Sequence, residues 1–392
     1  MSPDPALSRR AQAVAPFLAM DVMAAAGARE RRGEGVVHME VGQPSAPAPR
    51  AVIAAAQAAL ADGRIPYTEA LGLPALRERI ARHYAETYGV RLSPERVVVT
   101  TGSSAGFVLA FLALFDAGAR VGVPRPGYPA YDGILRALDL IPQPLTLRAE
   151  DRYAPTPALV RAVHAAEQLS GLLVMSPANP SGTVIEPARL AELCDTARAL
   201  ALPFISDEIY HGLDYAFPAV TAAALSDDAL VINSFSKYFC MTGWRVGWMV
   251  VPKPLVRPIE RLQQNMSISV PTLSQIAAEA AFEGRAEMEA IKHGYQDNRA
   301  ILAKGLPQAG LTDFLPADGA FYLYADVSKF TSDSFDFASQ MLQQTHVAAT
   351  PGNDFDPIHG RSYVRFSYAQ SSADMHEAVA RIGKWLGQGG PK

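Results

Sequence analysis

The sequence predicts an α/β fold, with a large domain over roughly residues 45–285 and a smaller α+β domain over 286–392, completed by an N-terminal arm, 1–44. Short apolar runs recur through the first region. Several are too continuously apolar for a sheet with one wet face, as expected of strands covered by helices on both sides. The segments between the runs are mostly long enough for crossover helices. Beyond residue 285 the pattern changes to one long helical stretch followed by spaced strand candidates.

Taken in order, residues 11–32 read as an Ala-rich helix, and VVHMEVGQPSAPAPR (36–50) as a strand running into a Pro-rich turn. Residues 51–62 and 74–88 carry Ala and Leu opposite charged positions, at helical spacing, with Pro74 suited to a first helical position. The strand candidates of the large domain are Val97–Thr100, Arg120–Val123, Leu172–Met175, Pro203–Ser206, Ala229–Asn233 and Val246–Val251. The apolar run Ala105–Phe115 is closed by Asp116, too short for the ~20 residues of a membrane span, and reads as a buried helix. In the smaller domain, a helix over Arg285–Leu306 precedes strands at Gly319–Asp326, His346–Thr350 and Ser362–Tyr368, and a last helix runs to about Leu386.

Composition narrows the class. The chain has 392 residues, 49% hydrophobic and 19% charged, with a formal net charge of −4, which leaves no basic footprint for nucleic acid or an acidic membrane. The two cysteines, Cys194 and Cys240, form no C-x-x-C pair, so neither a zinc ribbon nor a redox pair is supported and no metal is expected. Reduced thiols and a first 35 residues interrupted by charges lead to the expectation of a cytoplasmic protein.

The stretch VVVTTGSSAGF (97–107) poses a choice. Gly102, Ser104 and Gly106 fit G-x-S-x-G, the elbow that exposes a nucleophilic serine. Small residues at a helix start also offer N–H groups and hydroxyls to a phosphate. Three further stretches follow strand candidates: SPANPSGT (176–183), SDEIYHG (206–212) and SFSKYFCMTGWRVGW (234–248). Ligands of open α/β sheets bind beyond the carboxyl ends of strands, so these stretches converge in space. Lys237, beside Ser234 and Ser236, is a candidate for a lowered pKa and Schiff-base chemistry. Arg245, within the apolar WRVGW, needs an anionic partner, because burying it unpaired is costly. Asp207 suits a metal ligand, a general base or a partner for a cationic ring nitrogen, while Asn179 also fits plain turn chemistry.

Together these residues specify pyridoxal phosphate, which needs a lysine for its aldehyde, an acid for its ring nitrogen, donors for its phenolic oxygen and an anion site. Lys237, Asp207, the Asn179/Tyr210 pair, and the Gly102–Ser104 loop with Ser234, Ser236 and Arg245 fill those roles, and Tyr128 in PRPGYPAYD supplies a flat face for stacking. The hydrolase alternative needs an acid and then a histidine downstream. His346, His359 and His376 follow, but none sits in a loop with another mark of a catalytic base. Ser104 is therefore read as a phosphate ligand.

In these motifs, most specifically SFSKYFCMTGWRVGW, then ANPSGT and SDEIYHG, the chain resembles the fold-type I pyridoxal-phosphate aminotransferases of class I/II, from about Val37 to Ile382. The resemblance implies a mostly parallel seven-stranded sheet flanked by helices. It makes Lys237 the Schiff-base lysine, Asp207 the acid at the pyridine nitrogen, and Asn179 and Tyr210 the donors to the phenolic oxygen. Gly102, Ser103 and Ser104 with Ser234, Ser236 and Arg245 become the phosphate site, and Tyr128 the stacking ring. Tyr67 in PYTEALGLPALR resembles the tyrosine that reaches a neighbouring subunit's phosphate, Arg365 in SYVRFSYA the arginine that grips the substrate α-carboxylate, and Gly42 in EVGQPS a glycine near the substrate's way in.

The implied activity is ping-pong transfer of an amino group from an L-amino acid to a 2-oxo acid, with Lys237 as proton shuttle, in a homodimer with shared sites. The same residues also support C–S β-elimination or cyclopropane-carboxylate synthase chemistry. A non-catalytic ligand-binding module is a third reading, against which stands the absence of a basic patch and of a helix-turn-helix before residue 35. No second arginine can be assigned to a distal carboxylate, so the substrate side chain stays open.

Overall fold

The computed structural model describes residues 7–391, and among them eleven strands form two sheets. In chain order they are β1 (Val37–Met39), β2 (Val97–Thr100), β3 (Arg120–Arg125), β4 (Ile141–Thr146), β5 (Gly171–Met175), β6 (Phe204–Asp207), β7 (Leu230–Ser234), β8 (Gly247–Val250), β9 (Tyr322–Asp326), β10 (Val347–Pro351) and β11 (Tyr363–Ser367).

The large sheet has seven strands in the order β2-β8-β7-β6-β5-β3-β4. Only β8 runs against its neighbours. Residues alternate between two apolar layers: Val98, Ile232 and Met249 join one, and Val97, Val99, Val231 and Trp248 the other. β5 and β7 are buried along their whole length, which is why they read as continuous apolar runs. Fully burying each such Val, Leu or Ile contributes about 1.5–3 kcal/mol. The buried helix expected after β2 spans Gly102–Leu114.

Six of the seven strands lie where the sequence puts them. The seventh, β4 (IPQPLT), escaped because Pro142 and Pro144 argue against a strand interior. The structure shows how it tolerates them. Ile141 and Leu147 donate inward, to Ala119 and Arg125 of the β3 side, so the N–H positions of residues 142 and 144 face the free edge. A proline loses no ladder bond there.

The four-stranded sheet has the order β1-β10-β11-β9, with β1 parallel to β10 and the other pairs antiparallel. The N-terminal segment thus seats itself on the C-terminal region. The single helix expected over 11–32 is instead two, Arg9–Ala13 and Leu18–Glu30. Pro16 pushes its predecessor out of the helical region. The second helix starts afresh where the Asp354 carboxylate accepts the Leu18 and Ala19 N–H groups at 2.9 and 3.2 Å. Among the described residues no helix is long and apolar enough to cross a membrane.

Candidate active site

The parallel register of the large sheet sets Met175 beside Asp207 and Asp207 beside Ile232, so the turns after β5, β6 and β7 leave from one edge. From these turns come Asn179, Asp207 with Tyr210, and Ser234 to Lys237. The second sheet closes the space. Lys237 Nζ donates to the carbonyl of Gly42, just beyond β1. Withdrawal of its ammonium from solvent, with the charges of Arg365 and then Arg245 nearby, pulls the lysine down to about 8, against the opposing effect of Asp207. Burial outranks the positive neighbours as the cause.

Asp207 is 2% exposed, and burial pushes its carboxyl up to about 6. Three effects oppose this: the Tyr131 hydroxyl donating to Oδ2, the Ile209 N–H at 3.1 Å from Oδ1, and the Lys237 charge. No arginine or lysine pairs with it among the described residues. A carboxylate held this way gains from a cation placed against it.

Arg365 is 3% exposed in the middle of β11. Its partners are neutral oxygens: Asn179 Oδ1 at 2.9 Å, Thr350 Oγ1 at 3.1 Å and the Glu40 carbonyl. The guanidinium lies 4.4 Å from the centre of the Tyr322 ring and 4.7 Å from that of Phe355. Its Nε has no hydrogen-bond partner among the described residues. A buried cation with a spare donor and no anion is suited to an incoming carboxylate. Tyr210 and Tyr322 share a hydroxyl–hydroxyl bond of 2.6 Å, and the Tyr210 ring centre lies 5.7 Å from Lys237 Nζ. Gly42 is a glycine of necessity, because a Cβ there would stand 1.7 Å from the Tyr322 hydroxyl.

At the start of the Gly102–Leu114 helix, Thr101 contributes no side-chain cap, so the first-turn N–H groups remain on offer. Gly102 has φ +71°, and a Cβ on it would meet Arg245 Nη2 at 2.4 Å. The Arg245 guanidinium therefore overhangs this helix start. Ser234 and Ser236 join hydroxyls at 2.8 Å, Ser103 is buried and Ser104 exposed. One expectation needs correction here: Arg245 is not buried. It is exposed, and its bond is to the Thr242 carbonyl at 3.1 Å. Of WRVGW only Gly247 and Trp248 belong to β8, whereas Arg245 sits before the strand with φ +52° and turns out of it.

Tyr128 is half-buried and meets Phe17 and Tyr131 edge-on, at 6.0 and 5.4 Å. Burial and then the Asp207 charge push its hydroxyl up to about 12, with Arg245 and Arg365 opposing, so it shares the space of these groups. Tyr67 is not gathered with the others; it is 79% exposed. His346, considered above for hydrolase chemistry, caps the Ser334–Thr345 helix, with Nδ1 3.9 Å from Glu34.

Sequence reasoning missed Tyr131, Tyr322 and Glu40. Tyr131 had a signal, since it stands three residues from Tyr128 in the same PRPGYPAYD stretch. Glu40 had one as well: with His38 it puts two charges on one face of an otherwise apolar strand. Tyr322 had none, because its place beside Arg365 follows from the β9–β11 pairing.

The model of the family described as aminotransferase class I and II matches residues 34–382. The chain is 48% identical over 377 residues to a valine–pyruvate aminotransferase of Mycobacterium tuberculosis, covering 95% of this chain and 97% of the relative. It superimposes on the crystal structure of an aminotransferase from Mycobacterium tuberculosis with a TM-score of 0.95 at 47% identity, covering 98% of this chain and all of that one. On the aspartate aminotransferase of Thermus thermophilus with maleate the TM-score is 0.91 at 31% identity, covering 97% and 99%. A half-buried lysine with a buried acid and arginine on this fold, and a family match over nearly the whole chain, make the protein a member of the class I and II aminotransferases.

Proposed function

We propose that this aminotransferase moves the amino group of an apolar L-amino acid to pyruvate, with pyridoxal phosphate as cofactor. The observation that carries the reading is Arg365: a buried cation with no carboxylate of its own, in one space with a lysine drawn down to about 8 and a buried acid.

The donor set fits the cofactor. When bound, pyridoxal phosphate supplies an aldehyde for the amine and a ring that draws electrons from Cα. Asp207 is the residue for its ring nitrogen, since a cation there relieves the cost of the buried carboxylate. Asn179 and Tyr210 hold the phenolic oxygen and Tyr128 stacks on the ring. Gly102, Ser103, Ser104, Ser234, Ser236 and Arg245 hold the phosphate, through N–H groups, hydroxyls and one cation. Lys237 Nζ would carry the proton between the substrate Cα and the cofactor's aldehyde carbon, on the other side of the amine nitrogen. An amine that ionises near 8 is poised for both directions at working pH. Arg365 orients the α-carboxylate, and Gly42 leaves room beside it.

Two observations favour an apolar side chain and pyruvate. The relative at 48% identity carries that pair in its name. In addition, Arg125, three residues before Tyr128, is already bonded to Asp132 at 2.7 and 2.8 Å and so is not free for a distal carboxylate.

The same reading takes the chain as a homodimer. Ile65, Tyr67, Met266 and Ile268 are exposed on two segments tied by the Thr68–Ser269 and Thr272–Pro66 bonds, a surface that a second copy would cover. It takes residues 1–44 and 286–392 as one small domain beside 45–285, supported by β1 on β10. It puts the protein in the cytoplasm, in keeping with two buried, unpaired cysteines.

A half-reaction screen tests the proposal. Cofactor-loaded protein is mixed with single amino acids and its visible absorption followed. Valine and similar donors should change the spectrum fastest. A faster response to aspartate would overturn the apolar assignment, and silence with every donor would overturn the site.

A further inference from the structure

β1 leaves its ladder with β10 at Met39, so the next residues need another anchor. They matter, because the Glu40 carbonyl accepts from Arg365 and from Thr350 Oγ1, and the Gly42 carbonyl accepts from Lys237. Two backbone oxygens of one short turn thus hold two cations of the site, Arg365 and Lys237. The anchor is a side-chain pair on the same strand face. His38 Nδ1 lies 2.7 Å from Glu40 Oε1, and His38 Nε2 lies 3.1 Å from Glu30 on the Leu18–Glu30 helix. The Glu40 side chain is fully buried, and its second oxygen has no hydrogen-bond partner among the described residues. Nothing in the proposed chemistry uses either residue.

We propose that His38 and Glu40 are positioning residues for substrate carboxylate recognition: their ion pair fixes the Glu40–Gly42 turn, and the turn holds Arg365 in its binding geometry. The inference rests on the assignment of Arg365 to the substrate carboxylate.

Glu40 and then Glu30 hold the His38 ring well above its ordinary value, at about 9, with burial opposing. The groups around it on the packed elements are few. β10 presents Ala348 opposite His38. Arg381 of the Ser372–Gly387 helix is committed to the carbonyls of Gly35, Thr345 and His346. Arg365 of β11 meets the Glu40 carbonyl rather than its carboxylate. A raised histidine keeps its pair intact below its ordinary 6.5 and up towards 9, and loses it as pH rises through 9.

The test measures binding of 3-methylbutanoate, the valine skeleton without its amine, to the cofactor-loaded enzyme. This probe does not itself titrate between pH 7 and 10. Displacing a substrate-holding group by ~1 Å can cost ~10²-fold, so Glu40→Gln and His38→Gln should each raise Kd at pH 7.5 at least about fivefold. Wild-type Kd should climb as pH passes 9, and His38→Gln should lack that climb; the difference between the profiles separates His38 from the titration of Lys237. Melting curves keep the comparison to folded protein, and His38→Gln, changed at a side chain 27% exposed, carries the test if Glu40→Gln fails to fold. Wild-type affinity in His38→Gln, or parallel pH profiles, overturns the proposal. Arg365→Ala is the separate arm. If it binds the probe as well as wild type, the assignment of Arg365 falls. If it alone loses binding, only the role of His38 and Glu40 falls.

Discussion

The half of the site on the large sheet and the half on the four-stranded sheet reach one space by different means. Asp207, Asn179 and Lys237 stand at or just past the ends of neighbouring strands, each within a short motif, and burial moves the ionisation of both Asp207 and Lys237 towards neutrality. Arg365 sits inside a strand, and backbone or side chains as far away as Glu40 and Asn179 hold it. One half is tuned by desolvation, the other by neutral oxygens around a permanent charge. The lesson is that groups which must change protonation lie where burial can shift them. The group that must only bind is the one residue type that burial cannot discharge.

Four substitutions sharpen or break this contrast, in descending order of effect. Lys237→Ala should lower single-turnover rates by ~10²–10⁴ or more, since it removes the proton carrier; near-normal turnover would show that the shifted lysine is incidental.

Asp207→Asn tests what burial costs. A carboxyl raised from 3.8 to about 6 destabilises the cofactor-free fold by up to about 3 kcal/mol once ionised. Because the folded state binds the proton more tightly, this loss develops as pH rises from 3.8 to 6 and persists above. Urea melts of the cofactor-free variant should therefore show added stability at pH 7 and none below pH 3.5. If the variant is less stable at pH 7, Asp207 has a cationic partner in solution.

Arg365→Ala should raise KM for amino donors about 10–100-fold, the worth of a charge-assisted pair, with Arg365→Lys a poor substitute. A drop in kcat at unchanged KM would place Arg365 with the reacting groups instead. Tyr131→Phe is the mildest, at about 1 kcal/mol. It should push the Asp207 carboxyl further up, which infrared titration of the carboxyl can read; an unchanged titration would mean that burial alone sets it.

The same contrast explains what was legible in the sequence. Motif residues at strand ends can be read because the sheet topology gathers them whatever their surroundings, and Lys237, Asp207 and Asn179 are of this kind. So are strands buried on both faces, such as β5 and β7. Tyr322 could not be read, as its partner depends on strand register, and a sequence does not print register between segments more than 40 residues apart. Arg245 misled because local apolarity was taken for burial, although a single left-handed residue turned its side chain outward. β4 misled for a related reason: a proline forbids a ladder bond only on the side where a neighbour lies.

That last strand has a consequence for the molecule in a crowded solution. An exposed sheet edge is a template on which another chain can add itself. Along β4 the outward N–H positions fall at residues 142, 144 and 146, and proline occupies two of the three. At the opposite edge, β2 is already engaged: Val99 donates to the Leu71 carbonyl at 2.9 Å and accepts from the Gln263 amide at 2.9 Å. Neither border of the large sheet can readily be extended by a stranger's backbone. For this sheet, intermolecular strand addition, the route from a crowded sheet protein to fibrous aggregate, is opposed at both ends.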